Sequence, residues 1–232
     1  MNNQVDKAKR FRALHEGSKA FVIANAWDAG SARILAGLGF AALATSSGAS
    51  AGVLGRRDGN VTREEALAHA RAIVEATELP VSADLENGFG DAPEAAAAQA
   101  ARALPVPFTL TARAENFLRG NPDLDDTIRR LQAYEKAGAD VLFAPGLPDL
   151  EAVRKVCAAL EKPFNFMAGI RGKSFSVAEL EAAGVRRVSL ATSLYRAAMS
   201  GLLAAASEVR DSGTFGYLER TMSTPELNGF MR

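Results

Sequence analysis

Seven short apolar runs, each followed by a helical or loop segment, constrain this chain more than any other feature. They are AFVIA (20–24), FAALAT (40–45), PVSAD (80–84), PFTLTA (107–112), ADVLFA (139–144), PFNFM (163–167) and VRRVSL (185–190). Between them DAGSARILAGLG, TREEALAHARAIVEAT, DLDDTIRRLQAYEKAG and SVAELEAAG place apolar residues at i, i+3 and i+4, the helical period. Gly39, Gly138 and Gly184 stand between a helical pattern and the next run, where a glycine cap lets a helix stop and the chain turn back. Strand and helix in alternation, with mostly apolar strands, specify a parallel sheet covered by helices. An open sheet binding a dinucleotide would carry G-x-G-x-x-G after its first strand, and ANAWDAGSA does not match. Polar and glycine residues instead collect after nearly every strand, as they do where all strand ends share one mouth. The expectation is an α/β fold of the (β/α)8 TIM-barrel type, one domain over residues 1–232, with seven strands found where eight are needed.

Composition removes several partners. Lys plus Arg equals Asp plus Glu, 27 each, so no excess charge recruits nucleic acid or an anionic membrane. No stretch approaches the roughly 18–20 apolar residues of a membrane span, and the N-terminus has no signal-type apolar core, so a cytoplasmic protein is expected. Cys157 is the single cysteine, which excludes an internal disulfide and a cysteine zinc cluster; in the helical run LEAVRKVCAALEK it reads as apolar filler rather than a reactive thiol.

Chemistry concentrates at the strand ends. In SADLENGFGD, Asp84 and Glu86 are two apart, so on an extended backbone both point one way and Leu85 the other. Two hard oxygen ligands on one side suit Mg²⁺, which keeps several waters and takes one or two protein carboxylates; solvated loop acids would have the same spacing. Gly88 and Gly90 would let the backbone approach a ligand closely. TSSGAS ends a strand with small residues whose amides could form an anion nest, or a plain turn. Arg113 offers a fork for a carboxylate, or a salt bridge to Glu115. Asp58, in LGRRDGN, is either a proton acceptor near a metal-bound water or a turn residue beside Gly59. Asn165 stands near the seventh-strand position of a full barrel and is expected to share the cavity and bind substrate. His15 and His69 fall on helical segments away from strand ends and read as surface or packing residues.

Taken in order, NAWDAGSARILAGLGFAALATSS, LGRRDGN, SADLENGFGD, TARAENF, YEKAGADVLFAPG and AGVRRVSL resemble the isocitrate lyase and phosphoenolpyruvate mutase superfamily, in particular its short bacterial phosphonomutase-like members. The motifs run over about residues 18–215, and D-x-E-N-G-[FY]-G followed by T-A-R is the most specific of them. The resemblance implies a modified (β/α)8 TIM-type barrel, and Mg²⁺, with Mn²⁺ as a substitute, held largely through water by Asp84 and Glu86. It implies Asp58 as the mouth aspartate, Ser47, Gly48 and Ala49 as the oxyanion turn, and Arg113 as the grip on the substrate acid. The implied assembly is a homodimer or homotetramer whose C-terminal segment, about 192–232, packs on a neighbouring subunit.

The implied activity is cleavage of a C–C bond in a small 2-hydroxy or 2-oxo dicarboxylate through a pyruvate-type enolate, in the manner of methylisocitrate lyase or oxaloacetate decarboxylase. The alternatives are a mutase or hydrolase acting on the P–C bond of a phosphonate, and a non-catalytic anion-binding barrel. One departure bears on that choice. Between the Asp84–Glu86 motif and PFTLTAR the family has a further strand, an acid and a gating loop, where this sequence has only GDAPEAAAAQAARALPVPFTL. A βα unit is thus absent between about residues 92 and 106, by true loss or by omission from the sequence. Losing a barrel strand would expose two sheet edges, which favours omission.

Overall fold

The computed structural model describes residues 4–89, 104 and 106–231. Every expected run contains a strand: β1 Phe21–Asn25, β2 Leu43–Ala44, β3 Val81–Ser82, β4 Thr111–Arg113, β5 Val141–Phe143, β6 Phe164–Met167 and β7 Arg187–Ser189. All pairings are parallel, and the order is β3-β2-β1-β7-β6-β5-β4. The regular strands are shorter than the apolar runs, but single ladder bonds extend them. Examples are Leu43 N–H to Pro80 O at 3.0 Å and Thr45 N–H to Ser82 O at 2.9 Å. The curled sheet with its helices is a TIM-like modified barrel wall. Among the described residues β3 and β4 do not pair. The unit expected to be absent falls on residues outside those described.

Period two sorts the strand residues. Val22, Leu142, Phe164, Phe166 and Val188 pack outward against Leu131, Val153, Val156 and Leu180 of the helices, and Leu43 does the same with Leu35 and Ile73. Leu43, Leu142, Phe164, Phe166 and Val188, at 2% exposed or less, each contribute about 1.5–3 kcal/mol relative to exposure, and half-buried Val22 less. The alternate residues face inward, and there the wall changes character: Ile23, Ala42 and Ala44 are apolar, whereas Asn25, Ser82, Thr111, Asn165, Arg187 and Ser189 are polar. A polar interior is costly to bury, so its members are where function is sought.

The helices are α1 Gln4–Glu16, α2 Ala29–Gly37, α3 Ser47–Val53, α4 Arg63–Glu75, α5 Leu124–Ala137, α6 Leu150–Ala158, α7 Val177–Ala182, α8 Ser193–Ser212 and α9 Thr224–Phe230. Local chemistry sets their ends. Thr62 and Glu65 form a capping box at the start of α4, and Gly138 closes α5 at φ +102°, a left-handed conformation that glycine adopts without strain. Helix α1 crosses the N-terminal ends of the strands. Its Lys7 Nζ donates to Thr77 O at 2.7 Å and its Arg10 Nη2 to Glu78 O at 2.8 Å, both just ahead of β3; its Phe11 and His15 pack against the interior at β1. The opposite, C-terminal ends therefore form the mouth. At the far end of the chain α8 buries no residue and exposes Leu202 and Leu203, while α9 returns to α2, where Arg33 Nη1 donates to Met231 O at 2.7 Å. Among the described residues no helix is long and apolar enough to cross a membrane.

Candidate active site

The site starts at the tip of β3. Asp84 is fixed through its backbone and its carboxylate at once: its amide donates to Thr45 Oγ1 at 2.8 Å, its Oδ1 accepts from Glu86 N–H at 3.1 Å, and its Oδ2 accepts from Ser47 N–H at 3.3 Å. The second of these bonds is an Asx turn. It bends the chain so that Glu86 sits at φ +51°, in the left-handed region. Asp84 and Glu86 do end on the same side and line one small cavity with Ser46, Ser47, Ser50 and His69. They reach it by a turn and not by the strand alternation that the spacing suggested, because β3 ends at Ser82.

TSSGAS is neither nest nor plain turn. It opens helix α3, whose N-cap Ser46 makes no side-chain capping bond. The Asp84 carboxylate takes that place from across the fold, satisfying the Ser47 amide. Gly48 and Ala49, in the first turn, have amides without an intrahelical acceptor. Gly48 is closely flanked: a Cβ there would lie 2.9 Å from Thr192 Cγ2 and 3.1 Å from Asp58 Oδ2. This brings the Asp58 carboxylate over the start of α3, with its Oδ1 accepting from Gly59 N–H at 3.1 Å.

Arg113, at the end of β4, makes the salt bridge to Glu115 that one reading of it expects. Its Nη1 lies 3.6 Å from Asp84 Oδ1 and its Nε 3.0 Å from Glu115 Oε1, while Glu115 Oε2 is held by Arg119 Nε at 2.7 Å. Arg113 is thus aimed by one acid and poised beside another. Glu86 is held above the usual carboxylate range, first by burial and then by the negative charges of Asp58 and Asp84, with Arg113 opposing. Acids crowded this way favour a cation. Among the described residues no three acid, histidine or cysteine side chains come together tightly enough to cage a metal. A dication here would rest on Asp84 and Glu86 with water filling its shell, which suits Mg²⁺ and its preference for retained waters. The donor set fits.

Asp58, Asp84, Glu86, Arg113, Ser47, Gly48 and Ala49 are therefore neighbours. Asn165 is not among them. It lies one layer down, 1% exposed, with Nδ2 donating to Ser189 Oγ at 3.0 Å and Oδ1 without a partner among the described residues. Three residues assigned no site role from the sequence matter here. Thr45 holds the Asp84 amide. His69, expected to be a packing residue, lines the cavity because α4 lies beneath the β1 loop, its Nε2 2.7 Å from Trp27 O. Arg187 is buried in the barrel interior. The signal for Arg187 was visible: a charged residue on the same face as Ser189, with Val188 on the other, in a strand buried on both faces has to be accommodated inside. Cys157 is as expected, its thiol pushed up to about 12 by burial, and it packs on Gly184.

Comparison with known proteins gives one consistent result. A family model described as phosphoenolpyruvate phosphomutase matches residues 11–103 and 95–210, in two pieces that meet where the unit is expected to be absent. A solved structure of a candidate lyase/mutase from Burkholderia cenocepacia is similar at 44% identity and TM-score 0.95, covering 98% of this chain and 96% of the other. 2,3-Dimethylmalate lyase of Eubacterium barkeri is 27% identical, over 98% of this chain and 94% of its own. 2-Methylisocitrate lyase of Halalkalibacterium halodurans is 28% identical, over 91% and 85% respectively. The alignment with the dimethylmalate lyase has 273 positions against 232 residues here, so at least 41 of its positions (273 − 232) have no counterpart in this chain.

Proposed function

This chain belongs to the phosphoenolpyruvate phosphomutase family, in the superfamily that includes isocitrate lyase, and on that premise we propose that it is a cytoplasmic, divalent-metal-dependent lyase cleaving a C–C bond of a small 2-hydroxy or 2-oxo dicarboxylate. The observation that carries the reading is the gathering of Asp84, Glu86, Asp58 and Arg113 around the start of α3. Asp84 and Glu86 would hold Mg²⁺ or Mn²⁺, largely through water. Bound there, the dication supplies Lewis-acid stabilisation for negative charge developing on the substrate.

The chain's own residues do the rest. Arg113, steadied at Nε by Glu115, grips a substrate carboxylate with its outer nitrogens. The amides of Gly48 and Ala49 donate to a second anionic oxygen, while that of Ser47 is committed to Asp84. Asp58 accepts the proton of a 2-hydroxyl; as that O–H pair becomes a carbonyl, the C–C pair leaves with the enolate-forming fragment. Asn165 forms the floor below. The exposed apolar face of α8 supports a homodimer or homotetramer in which the segment from about residue 192 packs on a neighbour.

The family model's own description supports a second reading, action on the P–C bond of a phosphonate. Release of pyruvate from 2-methylisocitrate, oxaloacetate, 2,3-dimethylmalate and phosphonopyruvate, with Mg²⁺ present, separates the two. Turnover of any of the first three is expected; turnover of phosphonopyruvate alone sinks the C–C reading. A rise in melting temperature with oxalate and no turnover of any compound would mark a binding barrel.

A further inference from the structure

Arg187 occupies a position with a geometric consequence. Strand β7 is the middle strand of the seven, with β1, β2 and β3 on one side and β6, β5 and β4 on the other, so it faces the flank where β3 and β4 approach without pairing among the described residues. From there the Arg187 side chain crosses the interior. Its Nη1 donates to Thr111 Oγ1 of β4 at 3.0 Å and its Nη2 to Ser82 Oγ of β3 at 3.4 Å. Below the guanidinium lies the Phe11 ring of α1, 5.9 Å from Cζ to centroid. Among the described residues no carboxylate forms an ion pair with it, and its Nε has no partner.

A buried guanidinium satisfied by two hydroxyls and a ring is a costly choice for a barrel core. Its acceptors explain what it secures. Ser82 ends β3 two residues before Asp84, and Thr111 stands one inward-facing step before Arg113 on β4, so each acceptor anchors the strand that leads to a site residue. We propose that Arg187 is a positioning residue, a clasp across the barrel that sets the separation of β3 and β4 and thereby the 3.6 Å approach of Arg113 to Asp84. Burial lowers its pKa to about 10, with Asp84 pulling the other way, so the guanidinium is charged at neutral pH. A lysine there keeps the charge but cannot reach two hydroxyls at once with a planar fork.

The catalytic part of this inference rests on the lyase reading above; the clasp does not. The first arm is therefore independent of activity. Native-state hydrogen exchange in Arg187→Met and in Ser82→Ala/Thr111→Val is expected to lower protection at the Thr45, Asp84 and Ala114 amides at least tenfold more than at Phe166 and Val188. Uniform loss across all five, or none, overturns the clasp. The second arm uses whichever substrate the wild type turns over: both variants should lose at least tenfold in kcat with KM changed less than threefold, and Arg187→Lys should recover less than a third of the loss. Full kcat in the folded fraction of both variants overturns the positioning role. An inactive wild type with the local exchange effect present would count against the lyase reading and for the clasp.

Discussion

Acid should destabilise this protein through a buried histidine of helix α1. His15 of α1 is 5% exposed, its ring edge-on to Phe11 at 4.8 Å and to Phe21 at 5.0 Å, its Nδ1 2.8 Å from Phe11 O and its Nε2 unpartnered among the described residues. Burial drives its pKa down from 6.5 to about 4; the Phe11 carbonyl opposes this, Arg187 of β7 adds to it, and Asp140 ahead of β5, itself 3.8 Å from Arg12, opposes it weakly. The folded pKa lies below the unfolded one, so the unfolded chain binds the extra proton. Stability is unaffected above about pH 7 and is lost as pH falls from 6.5 toward 4, levelling off below. Over that gap of about 2.5 pH units the total is about 3 kcal/mol, a little under half of it gone by pH 5.5 and about three quarters by pH 4.5. Urea denaturation at pH 8, 5.5 and 4.5, for wild type and His15→Phe, reads the difference directly. The wild-type midpoint should fall more steeply than the variant's, by roughly 0.5–1 M at pH 4.5 for a urea slope near 3 kcal/mol/M. Parallel curves would refute the reasoning, as would an NMR titration of His15 with its midpoint near 6.5.

Three further outcomes follow from named contacts. Gly48→Ala puts a methyl 2.9 Å from Thr192 Cγ2 and 3.1 Å from Asp58 Oδ2, and should cost about 1–3 kcal/mol by thermal unfolding together with a fall in kcat; Thr192→Ser in the same chain should recover part of both, and wild-type values would be inconsistent with the packing described. Glu86→Gln should leave the melting temperature within a few degrees of wild type and weaken Mn²⁺ binding in equilibrium dialysis at least tenfold, since it removes one of two carboxylates; unchanged Mn²⁺ affinity would take Glu86 out of the metal site. Gly184→Ala combines φ +98° with a Cβ 2.9 Å from Cys157 Cβ, so the expected destabilisation exceeds 1 kcal/mol, and a thiol reagent should label Cys157 faster in the variant than in the nearly inert wild type.

Most of the wall was legible because it is governed by local rules. A parallel strand covered on its outer face needs apolar residues wherever it faces helices, and the helix-to-strand turn needs a residue tolerant of positive φ; the seven runs and Gly39, Gly138 and Gly184 are those requirements written in residues. The candidate site was legible to the extent that its residues sit at strand ends. Asp84, Glu86 and Arg113 were found that way, whereas α3 was read as a turn, because SGASAGV has weak helical preference and its missing cap is supplied by Asp84 from another strand. His69 packs against the β1 loop through Trp27 O, as a packing histidine should, and its place on the cavity wall depends on how α4 packs, which helical spacing does not give.

Arg187 shows where periodicity carries further than it was taken. Within β7 the residues alternate, Val188 outward and Arg187 and Ser189 inward, so a guanidinium enters the barrel. What periodicity does not give is the destination, since that depends on which strands stand across from β7, and strand order is a property of the whole sheet. With the seven strands of the described residues in the order found, an inward residue on the middle strand reaches both ends of the sheet. Charge at that depth is costly to keep, and the strand pair it joins carries Asp84 on one member and Arg113 on the other. The polar floor and the mouth are thus one construction: Arg187 and the hydroxyls of Ser82 and Thr111 below, Asp84 and Arg113 above, so a change in the floor should be read out as a change in the geometry of the mouth.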